Sequence, residues 1–472
     1  MSKISDKQVN DPEALGNVTS QYGGVQASAS TAHDAVFGEI TEDGPNYRNL
    51  GFWGTCVLMM KTQFGMGVLS IPATFDTLGI IPGVICLLTV GVMTTWSIYI
   101  IGAFKRRHPE IYSIDDAGFK MFGVVGREIL GFAYCINWIF VSASGMLSIS
   151  IALNATTNHG ACTAIFVALA AIVGFVLSSV RTLGRMTWLA WAALTSILTA
   201  ILALTIAVGI QARPDAAPQS GPWSSDWKLT NNPSFPDAVS AVASQLFAYG
   251  GVPGFFAIVA EMRDPKQYTR AMAVCQSVVS IFYLGIGVVV YYFCGSYVSS
   301  PALGSAGAMM KKVCYGLALP SLVFSVLLLT HMPAKWLFIR LLRDTPHLTS
   351  NTPRHWLTWL ACTFFTNITA YVIASGIPIF NSLISLVGAL LGTLLCLQPM
   401  GCMWLYDNWG STRERKRDLR WRLGVAWAVF VVCAGTFIMG LGTYGSVRGI
   451  VDAYHSEGGS GSWSCRDNSN ST

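Results

Sequence analysis

From residue 50 to residue 446 the chain is a succession of long apolar runs separated by short polar stretches. The runs are continuous rather than short and alternating, which sets aside a membrane β-barrel. Each is close to the ~20 residues that a helix needs to cross hydrocarbon. About eleven can be drawn, at 50–73, 78–101, 128–153, 161–180, 187–210, 238–260, 273–297, 315–338, 356–377, 379–405 and 422–445. The pattern predicts an all-α polytopic membrane protein. Residues 1–49 are polar and rich in Ser, Thr, Gly and acids, and are expected to be a disordered tail. They lack the apolar core of a cleavable signal peptide, so the first span is expected to act as its own insertion signal. A second polar tail, 447–472, closes the sequence.

Composition agrees with this reading. Of 472 residues 52% are hydrophobic and only 11% charged, with a mean hydropathy of +0.50. A soluble domain carries about 25% charged residues. The net charge of +6 is modest, and its placement matters more than its size. Lysines and arginines sit in short clusters between apolar runs, such as Lys105-Arg106-Arg107 and Arg413 through Arg422, which argues against nucleic-acid binding. With the N-terminus inside, about 23 of them fall on the inner side and about 6 on the outer, with Lys61 inside the first span. The positive-inside rule then predicts a cytoplasmic N-terminus and, for an odd span count, an outer C-terminus. Asn154 and Asn470 head sequons on the outer side, whereas the sequon at Asn17 is inner and should stay bare. The 12 cysteines are scattered, with no metal-binding spacing and no cofactor implied. Cys294 and Cys314 flank one outer loop and could pair.

Two spans are interrupted. The first contains Gly65-Met66-Gly67 followed by Pro72, and the sixth contains Tyr249-Gly250-Gly251-Val252-Pro253-Gly254. A repeat of five spans returns inverted because five is odd. Two inverted halves, each opening on a Gly/Pro-broken helix, are the sequence pointer to a transporter with its site between the repeats. Helix packing by small residues is the plainer explanation, but it does not account for two clusters at matched positions.

Broken helices expose backbone groups that lipid cannot satisfy, so these must line a protein cavity. A half-helix starting near Gly67 directs amides and a partial positive charge at the gap, which suits a carboxylate. Carbonyls around Phe247, Ala248 and Tyr249 suit an ammonium group. A zwitterion with one carbon between its charges satisfies both, so free amino acids fit. Phe247, Phe255 and Phe256, with Tyr249, are candidate apolar walls, and Ser142 and Ser144 candidate polar ones. No acid is placed to hold a cationic side chain, so neutral substrates are expected. Lys61, Glu261 and His331 are ionisable residues within or at the ends of spans, and such residues are functional candidates. Lys61 and Glu261 are the candidates for ion coupling. His331 reads first as an interfacial residue, and Glu261 equally as one half of a cytoplasmic structural ion pair.

Three ordered motifs carry a resemblance. Lys61-Thr-Gln-Phe-Gly65-Met-Gly67-Val-Leu-Ser-Ile-Pro72, Glu261-Met-Arg-Asp-Pro265, and Ser382-Leu-Ile-Ser-Leu-Val-Gly388-Ala-Leu-Leu-Gly392 followed by Pro399 resemble the amino acid/auxin permease family, particularly its fungal neutral amino acid permeases. The resemblance spans roughly residues 48–446. It implies an eleven-span, leucine-transporter-type fold with a 5+5 inverted repeat and broken helices 1 and 6. It also implies secondary transport of amino acids coupled to protons. Binding roles carry over onto Thr62, Gly65, Met66, Gly67, Phe247, Ala248, Tyr249, Gly250 and Gly251. Many relatives have Asn near the Lys61–Thr62 position, so the departure at Lys61 leaves the ion-coupling site open. A vacuolar carrier or exporter of amino-acid-derived metabolites shares these motifs. So does a nutrient sensor, although the N-terminal tail is short for one. A membrane-embedded enzyme would need an intramembrane pair of acids or a His cluster, and neither is present in the sequence. The partners expected are the amino acid, protons and the bilayer, with the oligomeric state open and the plasma membrane favoured over the vacuolar one.

Overall fold

The computed structural model describes residues 32–34, 38–40, 50–180, 187–342, 345, 347, 352–377, 379–409, 419–455 and 462–469. The chain divides into two units, Met1–Asn46 and Tyr47–Thr472. Within the first, in the polar segment expected to be disordered, the described residues are two antiparallel strands, Ala32–Asp34 and Gly38–Ile40. The second unit is built from helices.

All eleven apolar runs are helical. Span 1 is Phe52–Gln63 plus Gly67–Leu78, span 2 Ile80–Arg107, span 3 Ile114–Thr157, span 4 Thr163–Ser178 and span 5 Thr187–Ile210. Span 6 is Phe235–Ala248 with Phe255–Ala260, span 7 Tyr268–Cys294, span 8 Ala308–Leu342, span 9 Pro353–Gly376, span 10 Phe380–Trp409 and span 11 Leu419–His455. Among the described residues, nine helices are long and apolar enough to cross a membrane, and the two halves of span 1, bent by 41°, make a tenth. Span 4 has 16 residues. At 1.5 Å per residue that is about 24 Å, somewhat short of a ~30 Å hydrocarbon core.

Several boundaries move outward from the expected ones, two of them by ten residues or more. Span 3 begins at Ile114, where Ser113 and Asp116 form a capping box that satisfies first-turn amides. Gly123 then leaves the helical region with φ +69°, so the first turns run at an angle to the span proper. Span 11 continues to His455, into the segment expected to be a polar tail.

The remainder of that tail is docked. Cys465 is disulfide-bonded to Cys162, 303 residues earlier, at the start of span 4. Around it, Thr163 donates to the Arg466 carbonyl (2.6 Å), Asn154 to Asn468 (2.7 Å) and Lys311 to the Ser469 carbonyl (2.7 Å). The Trp463 amide donates to Ser375 (3.2 Å), and its ring packs on Tyr371. Residues 462–469 thus lie across one end of spans 3, 4, 8 and 9. The expected pairing of Cys294 with Cys314 is not found: both are free and buried. Cys162 and Cys465 meet instead because the tail folds back.

Candidate functional site

The breaks form where the sequence places residues that cannot continue a helix. Span 1 stops at Gln63, with Phe64 at ψ 83°, and restarts as a tight turn over Gly67–Ser70. Pro72 then sits in the first turn of the second half, where its missing N–H costs nothing. Span 6 stops at Ala248 and restarts through Val252–Gly254, again with a proline in the first turn. The two interruptions lie against one another. A Cβ on Gly67 would sit 2.5 Å from Ala248 Cα, and one on Gly251 would sit 2.6 Å from Thr62 Oγ1. Each break therefore needs a residue without a side chain to let the other approach.

Between them is a cavity with about 600 Å³ of unfilled space, part of it open to solvent. Of the expected binding residues, Thr62, Gly65, Met66, Gly67, Phe247, Ala248 and Gly250 line it, together with Lys61. Gln63, within the stretch from Thr62 to Gly67, lines it too; sequence reasoning missed Asn137, Trp138, Val141, Ser325, Leu328, Leu329, Val387 and Gly392, contributed by spans 3, 8 and 10. Asn137 is a buried amide in an apolar span and could have been found on that ground. Leu328 and Leu329 carry no such signal. Span 10 reaches the cavity through a π-helical turn at Gly388–Gly392, a local widening common at functional sites.

Several expectations are corrected. Ser142 does not line the cavity: its hydroxyl is paired with Thr330 (2.7 Å), and the neighbouring Val141 takes the wall position. Ser144 is turned to the Val141 carbonyl (2.8 Å). Tyr249 points away, its hydroxyl 3.3 Å from Ser280 and its ring against Tyr283. Gly251 serves the crossing with Thr62 rather than the cavity wall. Phe255 and Phe256 are fully buried among other core side chains and are not cavity-lining. Asn154 is fully buried, its amide donating to Thr163 and Asn468, so it is not presented as a glycan acceptor. Asn470 and Asn17 lie outside the described residues.

Lys61 is almost completely buried, with 3% exposure. Its ammonium donates to Ser325 Oγ on span 8 (2.7 Å) and to the Phe64 carbonyl at the break (3.2 Å). The Ser325 hydroxyl in turn donates to the Ser321 carbonyl (2.9 Å), so the donors run in one direction away from the lysine. Glu261 is not its partner. It ends span 6, where Tyr112 hydrogen-bonds its side chain and Lys335 supplies a positive charge. Its backbone joins Leu50, whose amide donates to the Glu261 carbonyl (3.2 Å) while Arg263 donates back to Leu50 (3.0 Å). His331 is fully buried against Trp359, with Nδ1 3.4 Å from the Ser178 carbonyl.

Paired broken helices enclosing a cavity within an all-helical membrane fold define a secondary-transporter scaffold. Residues 48–448 match the family model of the transmembrane amino acid transporter proteins, and the chain belongs to that family. A transmembrane transporter of Gibberella moniliformis is 31% identical over 90% of each chain. The N amino acid transport system protein of Neurospora crassa is 30% identical over 94% of this chain and 93% of its own. Among solved structures, MhsT in complex with L-phenylalanine superimposes with a TM-score of 0.53 at 11% identity, covering 83% of this chain and 98% of its own. A Na⁺-coupled sialic acid symporter in a substrate-bound outward-open state gives 0.50 at 14% identity, covering 84% and 91%. These likenesses identify the fold as leucine-transporter-type. The protein is an amino acid transporter by family, not an enzyme.

Proposed function

We propose that the protein carries neutral amino acids by alternating access, driven by protons. The observation that carries the reading is the chemistry of the cavity. Among the described residues its lining contains no carboxylate to hold a cationic side chain, and its walls are largely apolar: Met66, Trp138, Val141, Phe247, Leu328, Leu329 and Val387. The amides opening the second half of span 1 suit the substrate carboxylate. The Ala248 carbonyl accepts one bond already, from Tyr283 (2.8 Å), whereas the Phe247 carbonyl is engaged by the amides of Tyr249 and Gly250. A carbonyl has two lone pairs, so the Ala248 carbonyl keeps one for an ammonium group.

Lys61 is the coupling group in this reading. A buried ammonium that bridges the break of span 1 to span 8 holds the two together while charged and releases them when it gives up its proton. Glu261 belongs instead to the closure between the start of span 1 and the end of span 6. The disulfide favours the orientation derived from charge: Cys162 and Cys465 fall on the side assigned outside, and disulfides persist in oxidising compartments. In this reading the N-terminus is cytoplasmic and the plasma membrane is favoured, with the vacuolar membrane as the second reading because its lumen is on the same topological side.

The test is uptake of a labelled amino acid panel, with and without an uncoupler, in the wild type and in Lys61→Met. Accumulation of neutral amino acids should collapse with the uncoupler. Lys61→Met should lose pH-driven accumulation while keeping exchange. Unchanged pH-driven accumulation in that variant removes Lys61 from the coupling, and preference for cationic substrates removes the neutral assignment.

A further inference from the structure

We propose that Tyr283, on span 7, is the positioning residue that holds the two helix breaks at the spacing the substrate requires. The proposal rests on the reading above that an amino acid binds between the breaks. The phenolic oxygen lies 2.8 Å from the Gln63 carbonyl and 2.8 Å from the Ala248 carbonyl. Gln63 is the last residue of the first half of span 1, and Ala248 the last of the first half of span 6. One side chain from a third helix therefore reaches the matching point of both interruptions.

The chemistry of a hydroxyl makes this a coupling. It has one proton and, at these distances, two acceptors, so the proton is shared between the breaks and neither can move away without giving it up. The tyrosine itself has no freedom to follow. It is fully buried, with Phe64 at 5.8 Å and Tyr249 at 5.0 Å packed edge-on against its ring. A zwitterion spans a fixed distance from carboxylate to ammonium. Its two backbone receptors sit on different helices, so their separation is limited from below by the direct contact of the breaks and from above by whatever bonds to both. Tyr283 touches both, and it lies outside the cavity lining, where it makes no contact that would sense the substrate side chain.

The variant that isolates this is Tyr283→Phe, which keeps the ring and removes the shared donor. Losing a hydrogen bond and leaving buried acceptors short of a donor corresponds to roughly a tenfold to hundredfold change in an equilibrium constant. Substrate KM should rise by about that factor, equally for every transported amino acid, with the maximal rate per surface molecule within about twofold. KM is a property of each folded carrier, so reduced surface expression does not obscure it. A wall change such as Phe247→Ala should alter the ratios among substrates, which Tyr283→Phe should leave intact. Gly67→Leu, run in parallel, tests the site itself. Abolished uptake in Gly67→Leu beside a normal KM in Tyr283→Phe overturns the positioning role and leaves the site standing. Normal uptake in Gly67→Leu overturns the site. A substrate-dependent KM change in Tyr283→Phe also overturns the proposal, because it would put Tyr283 among the groups that read the side chain.

Discussion

Adding a single methyl group at Gly67 should be enough to disable the carrier. The Cβ of Gly67→Ala would lie 2.5 Å from Ala248 Cα, 3.1 Å from its N and 3.2 Å from its Cβ. Nonbonded carbons rest at about 3.5–4.0 Å, so the two breaks must part by about 1 Å. The obstacle is backbone, with no flexible side-chain end to swing aside. Overpacking of this kind costs typically 1–3 kcal/mol, and a 1 Å displacement in a positioned site can cost about 100-fold in rate. The sequence suggests that a side chain here would block the substrate carboxylate. The structure gives a different mechanism, in which the methyl group separates the receptors before substrate arrives. Gly65→Ala is the internal control, because its added Cβ meets only Ser325 Oγ at 3.9 Å, an ordinary contact. Both glycines line the same cavity, so loss of backbone freedom or of polarity does not separate them. Uptake per surface molecule should fall at least about tenfold in Gly67→Ala and stay within about threefold of wild type in Gly65→Ala. Equal and near-normal transport in both variants would refute the argument that close approach of the breaks is required.

Cys465→Ser and Cys162→Ser should each lower the apparent melting temperature by a similar amount, in keeping with the ~2–4 kcal/mol typical of a native disulfide. Non-reducing peptide mapping should find the Cys162–Cys465 cross-link, and its absence together with unchanged melting would refute the docked tail. If that tail is extracytoplasmic, the Asn470 sequon should carry a glycan while buried Asn154 stays bare. A glycosidase-sensitive mobility shift should then vanish in Asn470→Gln and persist in Asn154→Gln, and the opposite result would overturn both assignments.

What the sequence determined by itself is whatever depends on composition and local backbone chemistry. Apolar runs of membrane length become helices because hydrocarbon leaves the backbone no other way to satisfy its polar groups. Gly65-Met66-Gly67 with Pro72, and Gly250-Gly251 with Pro253, break their helices because those residues remove helix preference and backbone donors locally. Lys61 declared itself as an expensive charge in an apolar span. The tertiary structure decided which groups meet. Whether Ser142 or Val141 faces the cavity depends on the rotation of span 3 against span 8, and Ser142, Ser144, Ser148 and Ser150, spread round the helix, do not encode that rotation. Tyr249 stands between lining residues in sequence, yet the break turns it towards Ser280. Tyr283 reads as one more aromatic in an apolar span, and only the fold shows it against both Gln63 and Ala248. Cys162 and Cys465 are 303 residues apart, and no local rule pairs them until the tail folds back over spans 3, 4, 8 and 9. Local rules act over a few residues, whereas the site is made by helices that are distant in the chain, so its outline could be read from the sequence and its walls could not.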